Sequence, residues 1–127
     1  MLSIEVDIPR MGHGVPPGGT VGCLARFGSD SPWIVHRAQL ILMWRLQHDL
    51  WHEEQEVMVI PLAAHGEEMP PLAKRSFSLI VPAYPRSFQG RHIRLMWQLV
   101  TDVRARTGER LMDRFPLWFG YGEGERL

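Results

Sequence analysis

The sequence predicts an all-β domain, an antiparallel sandwich of two sheets with seven or eight strands. Apolar residues alternate with polar ones over most of the chain, which is typical of strands with one buried face. The 10 prolines and 12 glycines among 127 residues interrupt the windows in which a helix could form. The alternating runs are short and are separated by turn-forming residues. A chain of this length can bury a core without disulfides.

Seven strands follow from this alternation. Leu2, Ile4 and Val6 share one side of the first strand, and Cys23 lies on the apolar side of the second. The fourth run carries Val57 and Val59, with Leu62 as a further candidate, and its register is not fixed by the pattern. The predicted strands are 2–9, 20–27, 37–47, 54–62, 75–82, 91–104 and 110–118.

The connections are rich in residues that favour turns. Glycine supplies positive φ angles and proline fixes φ, so clusters of the two end strands. Such clusters occupy residues 11–19, 28–32, 66–71, 83–90 and 107–109. The pattern predicts one sandwich domain over residues 1–119 and a loose tail over 120–127.

Composition excludes several classes of function. Basic and acidic residues number 14 each, and nucleic-acid binding is unlikely for a chain without net positive charge. A single cysteine, Cys23, permits neither an internal disulfide nor a multi-cysteine zinc site, and its strand position predicts a buried, inert thiol. We expect a cytoplasmic protein, because the chain shows neither a secretory leader nor an apolar run of membrane-spanning length.

Two segments carry a resemblance to a known family. The first is Pro17-Gly18-Gly19-Thr20-Val21-Gly22, which opens a strand. The second is the apolar strand 77–82, the turn Pro85-Arg86-Ser87-Phe88-Gln89-Gly90, and the alternating strand that follows it. Over residues 15–117 the chain resembles the arrestin-like β-sandwich, although Gly22 follows Val21 directly and one sandwich stands where arrestins have two. The resemblance implies adaptor or scaffold work and no catalysis; a generic immunoglobulin-like sandwich is the alternative.

The residues of the second turn have their own physical logic. Pro85 provides a rigid entry, and the Ser87 hydroxyl can bond nearby backbone. Gly90 is expected to adopt a backbone conformation that a side chain would forbid. We therefore interpret this turn as structural.

The most informative residues for function are apolar side chains at strand positions that the alternation turns away from the core. If Leu42 and Trp97 point inward, their neighbours point outward, and the third and sixth predicted strands are expected to be adjacent. An apolar patch with a polar rim indicates an interface, and methionine suits such surfaces because it repacks easily. The patch consists of Ile41, Met43, Met96 and Val100, flanked by Gln39, Arg45, Arg94 and Gln98. Cover by a loop or the tail, or burial by self-association, would also explain it.

Two other groups of residues suggest different chemistry. His48 and His52, with Glu53, Glu54 and Glu56 nearby, could hold a metal in a small enzyme, although the pair is expected in a hairpin rather than on a helix. A basic strip on adjacent strands could bind nucleic acid or an acidic partner. Its candidates are Arg91, Arg94, Arg104, Arg106, Arg110 and Arg114.

The sequence thus predicts a non-catalytic protein-interaction module that acts through its apolar sheet face. We expect a protein partner or a homo-oligomer, and neither a cofactor nor a metal. The metal-dependent enzyme and the nucleic-acid-associated protein remain alternatives.

Overall fold

The structure is a computed structural model, and it describes residues 1–8, 18–82 and 87–117. Its strands, in chain order, are β1 (Ser3–Asp7), β2 (Thr20–Gly28), β3 (Trp33–His48), β4 (His52–Ala63), β5 (Glu68–Met69), β6 (Leu72–Ile80), β7 (Phe88–Gln89), β8 (Ile93–Ala105), β9 (Arg110–Leu111) and β10 (Arg114–Leu117).

These strands form the predicted antiparallel sandwich of two sheets. The smaller sheet has the order β1-β2-β6. The larger sheet has the order β10-β8-β3-β4, and the two-residue strands β5, β7 and β9 pair at its margins. In the described part of the chain, no helix is long and apolar enough to cross a membrane.

The long pairing of β3 with β8 organises the larger sheet. It runs from Val35 opposite Ala105 to His48 opposite Ile93. This confirms that the third and sixth predicted strands are neighbours. Strand β3 begins at Trp33, earlier than the predicted residue 37, because a bulge between Val35 and Arg37 lets the strand continue through an irregular step.

The core lies between the sheets and follows the predicted alternation in most strands. Leu40, Leu42, Trp97 and Leu99 are completely buried in the larger sheet. The smaller sheet contributes its own alternating set, which is Ile4, Val21, Cys23, Ala25, Phe27, Phe77 and Leu79.

The fourth strand shows the register that the sequence left open. Val57 and Val59 are about half exposed, whereas Ile60 and Leu62 are buried. Residues 58–61 pair regularly with β3, which turns Ile60 inward and Val59 outward, and two bulges interrupt the pairing, so that Val57 and Leu62 have no partner in β3. Each extra residue shifts the parity of the strand, which alternation cannot reveal.

The last predicted strand is divided into β9 and β10, because residues 112 and 113 leave the ladder. Leu111, Phe115 and Leu117 still pack against the core, as predicted. The end of that strand at residue 118, the domain boundary at 119 and the tail over 120–127 lie outside the described residues.

The two glycine turns have different physical causes. Gly18 has a φ of +83°, and its N–H donates to the Val81 carbonyl at 2.7 Å, so the turn before β2 requires a residue that tolerates positive φ. Gly90 is required by close approach rather than by the unusual conformation that we expected: a Cβ there would lie 2.8 Å from the Ile93 carbonyl oxygen. Residues 85 and 86 of this turn lie outside the described ranges.

A matched pair of substitutions tests this division between core and surface. Leu42 is completely buried and Leu72 is 82% exposed. Leu42→Ala leaves a cavity and is expected to lower the free energy of unfolding by ~2–5 kcal/mol. Leu72→Ala should cost less than about 1 kcal/mol. Urea denaturation measures both, and equal losses would contradict the assignment of the core.

Candidate functional site

The candidate site is the outward face of the larger sheet, the side turned away from the smaller sheet. Directly opposed residues in an antiparallel pair share one side of the sheet. Ile41 lies opposite Val100, and Arg45 lies opposite Met96. Met43 has the same parity as Ile41, so the four predicted patch residues share the outward face of two neighbouring strands.

The patch is less open than the sequence suggests. Met43 is 7% exposed and Val100 is 4% exposed. Ile41 and Met96 are half-buried. The expectation of four solvent-exposed side chains is therefore wrong for two of them. The tail over 120–127, one of the covers that the sequence suggests, lies outside the described residues.

A series of polar and charged side chains crosses the outward face. Arg114 in β10 and Glu54 in β4 form an ion pair, with 3.6 Å between Nη1 and Oε1. Strands β8 and β3 lie between them, so the two side chains reach across both strands. On the way, Arg114 Nη1 donates to Gln98 Oε1 at 2.8 Å, and Gln98 lies directly opposite Met43. We call the Arg114, Gln98 and Glu54 side chains the polar roof.

The polar roof is held weakly. The side chains of Arg114 and Glu54 are 52% and 30% exposed. Arg45 adds a second contact to Glu54, with 3.8 Å between Nη1 and Oε1. Ion pairs this exposed contribute ~0–1 kcal/mol, so a binding partner could displace them at small cost.

The apolar surface continues onto the outer strand β4. Val59 lies opposite Ile41 and is 50% exposed, and the unpaired bulge residue Val57 is 47% exposed. The sequence left the register of this strand open and did not assign the two valines to the surface. A usable signal was present, since Val59 and Leu62 are three residues apart and cannot share a face of a regular strand.

The late arginines do not form one strip. Arg94, Arg104, Arg110 and Arg114 have outward parity, while Arg91 and Arg106 lie in the turns that flank β8. Two arginines of β3, Arg37 and Arg45, share the outward face with them, and we had not assigned either to this group.

The histidine pair lies at the tip of the β3–β4 hairpin. His48 stacks on Trp51 with ring centroids 5.4 Å apart, and its Nδ1 accepts a hydrogen bond from the Leu50 N–H at 3.3 Å. His52 lies opposite Gln47. Within residues 1–8, 18–82 and 87–117, no group of three or more His, Cys, Asp or Glu side chains is placed to hold a metal ion.

Cys23 is buried in the smaller sheet, as predicted, with Sγ 3.6 Å from the Val21 carbonyl oxygen. Burial raises the pKa of the Cys23 thiol. The thiolate is therefore scarce near neutral pH, and the geometry does not favour a nucleophile.

Comparison with known proteins identifies the fold. No protein-family model matches the chain, and no curated protein sequence matches it. The solved structure of Spo0M, the sporulation control protein from Bacillus subtilis, superposes with a TM-score of 0.72 at 13% identity over 92% of this chain and 48% of Spo0M. A Bordetella pertussis structure solved under the name ApaA gives a TM-score of 0.31 at 12% identity, over 97% of this chain and 94% of that one. The first comparison confirms an arrestin-like β-sandwich; this chain spans about half the length of Spo0M.

Thiol labelling tests the environment of Cys23. With dithionitrobenzoate at mildly alkaline pH, native protein should react far more slowly than protein unfolded in urea, because burial restricts access and raises the thiol pKa. Equal rates in the two conditions would show that Cys23 is accessible and would contradict its placement.

Proposed function

We propose that the chain is a small cytoplasmic adaptor domain of arrestin-like fold that binds a protein partner, without catalysis, through the outward face of its larger sheet. The observation that carries this proposal is the apolar surface of Ile41, Met96, Val57 and Val59 on the same sheet as the displaceable polar roof.

The composition of this face suits protein binding. Interfaces combine an apolar centre with a polar rim, and methionine adapts its shape to different partners. Met43 and Val100 are buried, and the residues directly opposite them, Gln98 and Arg114, belong to the polar roof, whose ion pair is weak and exposed. A partner that supplied carboxylates and apolar side chains could replace the roof and extend the buried area.

The features of strand β4 favour a partner that binds on the outward face of the larger sheet over one that adds a strand at its edge. Two register shifts interrupt its pairing with β3, after Ala38 and after Leu42. Pro61 has no N–H to offer, and the glutamates at 53, 54 and 56 repel a neighbouring acidic strand. Bulges, proline and charge are the usual protections of an exposed sheet edge.

The surroundings of the hairpin give less support to an enzyme. A shallow depression of about 390 Å³ lies beside His48, Asp49 and His92. His92 Nδ1 lies 3.0 Å from Asp49 Oδ2, and both side chains are 65% exposed. Catalytic groups act best in enclosed, desolvated sites, which this depression does not resemble. Spo0M, which has a similar fold, is named a sporulation control protein, and that name describes regulation rather than catalysis.

Paired serine substitutions test the proposal. Val57→Ser/Val59→Ser removes the exposed apolar edge of the outward face without opening the core. In affinity enrichment from the native host, we expect this variant to lose at least about tenfold of one specific partner protein, a loss of ~1.4 kcal/mol in binding.

The matched control is Leu72→Ser/Ile80→Ser, which removes two exposed aliphatic side chains from the outer side of β6 in the other sheet. It should retain the partner. Equal capture by wild type and both variants would overturn the proposal. If the control variant alone loses the partner, the binding site lies on the smaller sheet. If light scattering shows self-association through Val57 and Val59, the partner is a second copy of this chain.

A further inference from the structure

Three arginines form a row on the outward face. Arg37 lies directly opposite Arg104, and Arg104 lies directly opposite Arg110, so the three occupy one level of strands β3, β8 and β9. Like charges directly opposed across strands destabilise a sheet. We call these residues the arginine row; its arrangement calls for a compensating charge.

Asp102 supplies part of that charge. Arg37 Nη1 lies 3.3 Å from Asp102 Oδ2, and Arg104 Nε lies 3.4 Å from Asp102 Oδ1, so two guanidinium groups flank one carboxylate. Gln39 Nε2 also donates to Oδ2 at 3.2 Å. The Asp102 side chain is 7% exposed, so it is more deeply buried than the two arginine side chains that it contacts.

One carboxylate cannot neutralise three guanidinium groups. Arg110 contacts the Met112 sulfur at 3.4 Å, and within the described ranges it forms no ion pair. The side chains of Arg37 and Arg104 remain 47% and 35% exposed. The row thus presents a local excess of two positive charges on a chain whose net charge is zero.

We infer that the arginine row binds the carboxylates of an acidic segment of the protein partner, an inference that rests on the proposed function. A guanidinium group has five donors in a planar fork that matches a carboxylate bidentately, and Asp102 occupies part of this capacity in the two arginines that it contacts. The match is specific to arginine, since lysine acts as a point charge.

The position of the row relates it to the apolar surface. Arg37 and Ile41 are four residues apart in β3, which corresponds to about 13 Å along the strand at ~3.3 Å per residue. An extended segment with acidic residues some four positions from apolar ones would reach both. Nucleic acid fits less well, because phosphate-backbone binding draws on many basic contacts, whereas the row has three guanidinium groups and Asp102 already contacts two of them.

Fluorescence anisotropy with a defined probe tests the inference. The probe is the fluorescein-labelled, amidated peptide Glu-Glu-Glu-Gly-Ser-Leu-Val-Leu, and its glutamine counterpart replaces the three glutamates. We expect the glutamate peptide to bind wild type at low salt, to weaken with added salt, and to lose at least about tenfold in affinity with Arg37→Gln/Arg110→Gln. Arg110→Gln alone should give a smaller loss in the same direction, and it breaks no ion pair of the described residues.

The matched control is Lys74→Gln/Arg91→Gln, which removes the same charge from exposed positions outside the row and should bind the peptide as wild type does. Equal affinities for all variants, or equal binding of the glutamine peptide, would overturn the inference. The inference would also be overturned if oligothymidylate or phosphatidylserine vesicles bound through the arginine row while the glutamate peptide did not bind.

The two proposals fail separately. If Val57→Ser/Val59→Ser keeps both the host partner and the glutamate peptide while Arg37→Gln/Arg110→Gln loses both, the inference on the arginine row is supported and the proposal on the apolar face is overturned. If the serine variant loses the host partner while the arginine variant keeps both partner and peptide, the apolar face stands and the arginine row fails.

Discussion

The register between β3 and β8 is the constraint on which the rest of the molecule depends. The strands pair from Val35 to His48 on one side and from Ala105 to Ile93 on the other. A slip of one residue would turn every side chain of one strand to the opposite face. Leu42 opposite Leu99 secures the core, and the same pairing sets Ile41 against Val100 outside. The core and the candidate site are therefore two consequences of one register.

The outward face carries features that packing does not require. A row of three arginines shares one level, and the ion pair between Arg114 and Glu54 spans the two strands that carry Met43 and Val100. The outer side of the smaller sheet also exposes Leu72 and Ile80, but its one level with two opposed basic residues, Arg26 and Lys74, includes Glu5, and no level of its described strands carries three basic residues. Departures from local stability of this kind are expected where a protein binds something. The asymmetry between the two outer surfaces is the strongest reason to place function on the larger sheet.

Alternation in the sequence was sufficient for the architecture, because the inward residues of β2, β3 and β8 keep strict period two over long stretches. It left the register of β4 open, because two bulge residues, Val57 and Leu62, change the parity of that strand. The outward position of Met43 and Val100 was predictable, but their burial was not. Side chains that are distant in sequence come together on this face, as the ion pair between Arg114 and Glu54 shows, and no local pattern predicts such contacts. The sequence indicated Arg104 and Arg110 of the arginine row but not Arg37. Arg37 contacts Asp102, which lies 65 residues away along the chain, and no local pattern predicts that contact.

The most direct test of the central claim is a two-dimensional amide NMR titration of the protein with the glutamate peptide. If the outward face of the larger sheet is the binding surface, the largest shifts will map to β3, β4, β8 and β9, around Arg37, Ile41, Val59 and Arg110. Amides of β2 and β6, in the other sheet, will change little. Shifts centred on β2 and β6, or no saturable shifts at all, would contradict the account.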